Sequence, residues 1–399
     1  MAERPWLTVI GLGEDGPDGL PTASRQSLDA AEVVMGPPRH LSLVPDTGAE
    51  RVEWPVPFSD GLPVLERLRG RRVVVLASGD PFWFGAGSVI ARHFAAEEWT
   101  ALPGRSTFSL AAARLVWPLE KVLTLGLHAA PLTRLRPHLA EGMRALVLLR
   151  DGAAVEELAR SLCDLGFGQS HLHVLEALGG PRERARMTTA DAFSYEDIQH
   201  PVCVGLDVRG NGFCLPKASG LPDAVFETDG QITKRPVRAL TLSALAPQRG
   251  EHLWDIGGGS GSIGIEWLLS HDSLTATTIE PRADRAERIR RNADALGVDR
   301  LRVVHGQAPD ALSDLPMPDV VFIGGGLSAA LLDWLTAHLQ KGTRLVANAV
   351  TLESEALLAN CHEKLGGELM RIELAQAAPL GPRRGWKASY PVVQWSVTL

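Results

Sequence analysis

The sequence predicts two unlike α/β domains joined in one chain, on three observations. The second half alternates short apolar runs with helically spaced stretches, the pattern of a mainly parallel sheet covered on both faces. The first half alternates too, less regularly, and shares no repeat period with the second. Between them lies VRGNGFCLPKASGLPDAVFETDGQ, Val208 to Gln231, rich in Gly and Pro and weakly periodic, which reads as a linker. The expected boundaries are 1–207, 208–231 and 232–399, and 399 residues suit two domains at roughly 150 residues or more each.

In the first half, WLTVIGLG, RVVVLASGDP and RALVLLRDG read as parallel-sheet strands followed by turns, with VLERLRG and AVEELARSLCDLG as helices. The second half opens with HLWDIG as a strand and IGIEWLLSH as a helix. LTATTIE is a strand, and RADRAERIRRNADALG is a helix stopped at Gly297, its charges at helical spacing reading as an exposed face. LRVVHG, DVVFIGG and TRLVANAV continue the strands, with LSAALLDWLTAHLQKG and ESEALLANCHEKLGG as helices. ELMRIELAQ and YPVVQWSVTL close the chain with no helix between them, which predicts an antiparallel hairpin at one sheet edge and seven strands in all.

Composition narrows the function. The chain is 45% hydrophobic and 22% charged with a formal net charge of −7, so it lacks a global basic footprint for nucleic acid. Binding of an acidic ligand must come from local Arg and Lys clusters. Cys163, Cys203, Cys214 and Cys361 form no CxxC pair and no metal-ligand spacing, so free thiols, a reducing compartment and no metal are expected. MAERPWLTVIGLG is too weakly apolar for a signal peptide, and no run approaches the about 20 apolar residues of a membrane span, so no membrane partner and a cytoplasmic location are expected.

The stretch HLWDIGGGSGSIGIEW concentrates glycines between a strand and a helix, where backbone N–H groups can approach a ligand closely. It reads in three ways. One is a tight turn with no ligand. A second is a dinucleotide turn, because Gly259-x-Gly261-x-x-Gly264 matches G-x-G-x-x-G. That leaves Asp255, Gly257 and Gly258 without a role. The third is Asp255-x-Gly257-x-Gly259-x-Gly261, an acid at a strand tip ahead of alternating glycines, which suits the sulfonium and ammonium of S-adenosylmethionine (SAM). Glu280 ends the next strand, where a carboxylate can accept two ribose hydroxyls; a dinucleotide fold puts an acid there as well.

The seven-strand rhythm with its terminal hairpin resembles the Rossmann-like class I SAM-dependent methyltransferases, over Ile232 to Leu399. The resemblance implies that Gln307 and Ala308, in HGQAPDAL, lie near the adenine. Relatives often carry Asp where this chain has Gln307, and the amide oxygen can still accept from the adenine amino group. It also implies that Gly324 to Gly326 line the methyl-donor pocket and that Asn348 faces substrate.

Three marks in the first half resemble the tetrapyrrole (uroporphyrinogen and corrin) methylases: Ile10-Gly11-Leu12-Gly13-Glu14-Asp15, Gly79-Asp80-Pro81 and Pro103-Gly104-Arg105-Ser106-Thr107. Glu14 departs from the usual Pro. The resemblance implies two α/β subdomains holding a second SAM, mostly by backbone, at Leu12, Ser78, Gly79, Asp80, Trp83, Ser106 and Thr107, with later contacts near Leu149, Ala177 and Leu178. His128, in LHAAP, would lie on a substrate-facing loop. His171 and His173 alternate within a strand-like run and belong to a sheet rather than a metal site.

The joined halves resemble the bifunctional, decarboxylating C-methyltransferases of aerobic cobalamin biosynthesis. That resemblance implies two SAM sites per chain, methylation of two meso carbons of a corrin precursor, one by each domain, and loss of carbon dioxide from its ring-C acetate arm in the C-terminal domain. The substrate is then an anionic tetrapyrrole. Lys234, Arg235 and Arg238, and Arg383, Arg384 and Lys387, are the candidate cations for its carboxylates, each cluster also readable as a solvated loop. Homo-oligomers are common in both families, so one is expected. Two other functions stand beside this one: methylation of RNA or protein by the C-terminal domain, and a degenerate N-terminal half that serves only as a scaffold.

Overall fold

The computed structural model describes residues 5–399; Met1 to Arg4, the start of the first expected domain and of the segment read for a signal peptide, lie outside them. The chain forms two compact units. The first runs to Ala130 and resumes over Ala140–Phe213; the second comprises Pro131–Leu139 and Cys214–Leu399.

The first unit contains β1 (Leu7–Leu12), α1 (Thr22–Asp29), β2 (Val33–Gly36), α2 (Pro38–Leu43), β3 (Glu50–Glu53), α3 (Gly61–Glu66), β4 (Val73–Ser78), α4 (Gly87–His93), β5 (Trp99–Leu102) and α5 (Thr107–Leu115). Then follow β6 (Leu123–Gly126), β7 (Arg144–Leu149), α6 (Gly152–Asp164), β8 (His171–Glu176), β9 (Arg184–Thr189) and β10 (Val202–Asp207). One sheet, ordered β3-β2-β4-β1-β5, is parallel throughout. The other, β6-β7-β10-β8-β9, is mixed: β7 runs parallel to β6 and antiparallel to β10. The apolar run RALVLL therefore marks a strand buried on both faces, and burial, unlike direction, is what such a run reports. His171 and His173 lie on β8.

The second unit contains α7 (Arg235–Leu245), β11 (His252–Ile256), α8 (Ser262–Ser270), β12 (Thr275–Glu280), α9 (Ala283–Ala295), β13 (Arg302–His305), β14 (Val320–Ile323), α10 (Ala329–His338), β15 (Arg344–Ala349) and α11 (Leu352–Leu365). Its last strands are β16 (Glu368–Ile372), β17 (Ala375–Leu380), β18 (Arg383–Ala388) and β19 (Val392–Thr398). The seven-stranded sheet is ordered β13-β12-β11-β14-β15-β19-β16, with β11 to β15 parallel and β19 antiparallel to both its neighbours. The expected closing hairpin is thus two strands of this sheet, but not joined by a tight turn. Between them β17 and β18 pair as a separate two-stranded sheet, where the sequence reads only a charged loop. Gly and Arg break the alternation there, and the hairpin buries too little surface to impose one.

Each face of the seven-stranded sheet packs an apolar layer that includes a fully buried tryptophan or two, Trp267 on one side and Trp254 and Trp395 on the other. Their indole N–H groups donate to the carbonyls of Thr275, Pro316 and Gly366, so burial leaves none unpaired.

From Cys214 onward the Gly/Pro-rich stretch belongs to the second unit, and Leu215, Leu221 and Phe226 sit in its core. Two polar clamps hold it. Arg238 and Glu266 form a fully buried ion pair, 2.5 Å apart. Glu266 accepts the N–H groups of Gly220 and Leu221, while Arg238 donates to the carbonyls of Thr233 and Leu221 and to Asp223. Asn292 on α9 exchanges both amide groups with Glu227 and also donates to the Ser260 carbonyl. The charges of α9 are not all solvated: Arg285 and Arg288, both largely buried, pair with Asp229, while Arg291 pairs with Glu227 in the open.

Removing one partner of a buried pair strands the other charge. Glu266→Ala should cost the second unit about 3–5 kcal/mol, read as an earlier unfolding transition in urea followed by tryptophan fluorescence. A loss below about 1 kcal/mol would show that the pair does not hold this segment.

Candidate functional site

The tips of β11, β12, β14 and β15 open into a cavity of about 1140 Å³ in the second unit. The glycine turn after β11 forms one wall. Gly257 donates its N–H to the Ile279 carbonyl (2.9 Å), which draws the turn across the tip of β12. Gly257 has φ +77, and a Cβ there would stand 2.6 Å from the backbone of Gly325. Only a glycine permits both that conformation and that approach. Gly257 and Gly259 face the cavity, whereas Gly261 caps α8 and does not.

Asp255 is not where the sequence reading puts it. Its side chain lies under the turn, buried, and Oδ2 accepts the Gly264 N–H and the Thr278 hydroxyl, each at 3.2 Å. It fastens the first turn of α8 to β12 instead of facing the cavity. Burial pushes its carboxyl up to about 6, with Glu280 adding to the rise and the two hydrogen bonds opposing it. Glu280 does line the cavity. Its Oε2 accepts the Gly259 N–H (2.8 Å) and its Oε1 that of Arg282 (3.1 Å), so the carboxylate is fixed at the rim of the glycine turn.

Gln307, Ala308, Gly324 and Asn348 also line the cavity. Asn348 joins the buried Thr241 and Gln394 in a hydrogen-bond network. Thr241 donates its hydroxyl to the Val237 carbonyl and accepts from Asn348 Nδ2 (2.9 Å) and Gln394 Nε2 (3.0 Å), while Gln394 also donates to Asn348 Oδ1 (2.9 Å). These partners define the amide's orientation.

Of the candidate cations, Lys234 and Lys387 line the cavity. Arg238 does not: its guanidinium is fully buried and spent on Glu266, Asp223 and two carbonyls, so it is a structural residue. Arg235 is exposed on the first turn of α7, and Arg383 and Arg384 are exposed on β18; none of the three lines the cavity. Arg285 and Tyr390 line it without having been singled out in the sequence. Arg285 sits in the first turn of α9, five residues after Glu280, and its Nε donates to Asp229 (2.9 Å).

In the first unit the three sequence marks meet as backbone. Gly79 donates to the Leu12 carbonyl (2.9 Å) and Gly104 to the Gly79 carbonyl (3.0 Å). A Cβ on Gly11 would stand 1.8 Å from the Gly79 oxygen. The side chain of Leu12 is in the core, so only its backbone can meet a ligand. Ser106 caps α5 by accepting from Ser109 N–H (3.0 Å), and Thr107 is the first residue of that helix. Asp80 Oδ1 accepts the Phe82 N–H, and the Trp83 ring packs on Phe108 with centroids 5.1 Å apart. Ser78 is exposed at the strand tip, as is His128 on its loop. Leu149 and Leu178 are buried, and Ala177, just before Leu178, has φ +45, a strained conformation of the kind that gathers at ligand sites.

Among the described residues no group of three or more His, Cys, Asp or Glu is placed to hold a metal ion, the four cysteines are free, and no helix is long and apolar enough to cross a membrane.

Comparison with known proteins agrees with both halves. The family described as Tetrapyrrole (Corrin/Porphyrin) Methylases matches residues 7–193, and that described as Precorrin methyltransferase domain matches residues 224–399. The precorrin-6Y C(5,15)-methyltransferase (decarboxylating) of Sinorhizobium sp is 50% identical, over 99% of this chain and 96% of that protein. The protein of the same name from Mycobacterium tuberculosis (strain ATCC 25618 / H37Rv) is 43% identical, over 98% of this chain and 99% of that one. The solved C-terminal domain of precorrin-6Y C5,15-methyltransferase from Rhodobacter capsulatus is 59% identical, matches 46% of this chain and all (100%) of that one, and has a TM-score of 0.45. At such identity over nearly the whole of two relatives, the chain belongs to the family of decarboxylating precorrin-6Y C(5,15)-methyltransferases.

Proposed function

We propose that the chain is a methyltransferase of corrin biosynthesis that also decarboxylates its substrate, with one SAM site in each unit. The observation that carries the reading is the pairing of two unlike glycine platforms, Gly257–Gly325 and Gly11–Gly79–Gly104, each at the tips of parallel strands. When bound, SAM supplies an electrophilic methyl group. In the second unit Glu280 would hold the ribose hydroxyls, Gln307 the adenine, and the backbone of Gly257, Gly259 and Gly324 the remainder. Glu280 fits that role because its carboxylate is buried, pre-oriented by two N–H groups and open to the cavity. In the first unit Ser78, Gly79, Asp80, Trp83, Ser106, Thr107 and the Leu12 backbone would form the second site.

A cavity of about 1140 Å³ exceeds the roughly 300–1,000 Å³ of common small-molecule sites, which suits a nucleoside beside part of a macrocycle. Lys234, Arg285 and Lys387 would hold the carboxylates of the substrate, and Asn348 would hydrogen-bond it. The ring's meso carbons are enamine-like nucleophiles, so the protein's main task is positioning. The net charge of −7 argues against a nucleic-acid substrate. Free thiols support a cytoplasmic location. The exposed β17–β18 hairpin, with Leu380 and Trp386 open to solvent, supports a homo-oligomer.

The direct test is mass analysis of the product formed by the full chain from a corrin precursor and SAM. Gain of two methyl groups and loss of carbon dioxide is expected; an unmodified precursor, with RNA or protein methylated instead, would refute the reading. Asp255 supplies a second test. Its folded pKa of about 6 lies above the ordinary 3.8, so the folded state binds the extra proton and stability falls as pH rises between those values. Asp255→Asn lacks this dependence. Relative to the variant, wild type should lose up to roughly 3 kcal/mol between pH 4 and pH 7 in urea titrations; parallel curves would contradict the buried, ionisable placement.

A further inference from the structure

The first unit holds a charged cluster that no role above uses. Glu14, just past β1, is buried, with its side chain 7% exposed. It pairs with Arg39 on α2 and, 3.0 Å away, with Arg182 in the turn between β8 and β9. Arg39 also donates to Ser78 Oγ (3.1 Å) at the tip of β4 and to His40 Nε2 (2.8 Å). His40 Nδ1 faces the Leu76 carbonyl (3.3 Å), which places the proton there and leaves Nε2 as an acceptor, so the ring is neutral. Burial followed by the charge of Arg39 supports this by lowering His40 to about 4. The cluster is then two guanidiniums against one carboxylate, net positive on a chain of net charge −7.

Three features make it a receptor rather than a plain ion pair. One carboxylate neutralises one arginine, and the second stays uncompensated. Arg182 remains half exposed, with Glu14 as its side-chain partner among the described residues. The members come from both sheets of the unit, and Ser78 joins them to the backbone platform of Gly79.

We propose that Arg39 and Arg182, presented by the buried carboxylate of Glu14, form a carboxylate-binding subsite that anchors an acidic side arm of the macrocycle in the first unit. This rests on the reading of that unit as a tetrapyrrole methylase. Planar guanidiniums held by a fixed carboxylate meet an incoming carboxylate without reorganising, which favours paired, charge-assisted hydrogen bonds.

The test uses the full chain with Arg182→Gln, chosen because the side chain is half exposed, and Arg39→Gln beside it. Methyl transfer to the corrin precursor is followed by mass, and adenosylhomocysteine binding by calorimetry. For R182Q we expect KM for the precursor to rise about tenfold with kcat within about threefold, and the thermal midpoint and adenosylhomocysteine affinity to be unchanged. Arg182→Lys should recover part of the loss, and a precursor with esterified arms should not distinguish wild type from R182Q. An unchanged KM in a folded R182Q, or an equal loss with the ester, overturns the subsite while leaving the methyltransferase reading intact. A wild-type chain that transfers no methyl group to the precursor overturns both.

Discussion

In both units the site-bearing strands approach at their C-terminal tips more closely than any side chain allows. Gly257 and Gly325 meet backbone to backbone at the tips of β11 and β14, and Gly11, Gly79 and Gly104 do the same at the tips of β1 and β4 and the loop after β5. A methyl group at Gly11 or Gly257 would need room that the facing backbone fills. The strands cannot yield, because each is hydrogen-bonded along its length to neighbours whose faces are packed. What such an approach leaves is a bare shelf of peptide groups, which suits a ligand gripped by backbone.

Around that shelf the second unit sets its polar groups by burial. Asp255 works from beneath, Glu280 from the rim, and the Asn348–Thr241–Gln394 network from the far wall. Each is held by more than one hydrogen bond, so the site is ordered before anything enters it. The wall made by residues 230–234 depends on a pair that does not itself line the cavity, Arg238 and Glu266. Stability and binding are thus linked through one segment.

Much of this was legible in the sequence. The β/α rhythm, the acid at the tip of β12 and the three marks of the first half each follow from local chemistry that a single strand and its turn impose. Four features were not. Arg238 reads as a surface cation because charge in a sequence says nothing of burial; only the placement of Glu266, 28 residues away, reveals the pair. Asp255 reads as a ligand group because the side chain's direction at a strand tip is set by the turn above it. The β17–β18 hairpin is short, charged and without alternation. Glu14 shows in the sequence only as a departure from a motif, and its arginines lie 25 and 168 residues away.

The central claim is that two unrelated backbone platforms on one chain bind the same cofactor. Calorimetric titration of the full chain with adenosylhomocysteine measures it most directly. Two equivalents per chain are expected, falling to one in Glu280→Ala, where the second unit's carboxylate is removed and the first unit is untouched. A single equivalent in the wild type, or two retained equivalents of unaltered affinity in the variant, would contradict the account.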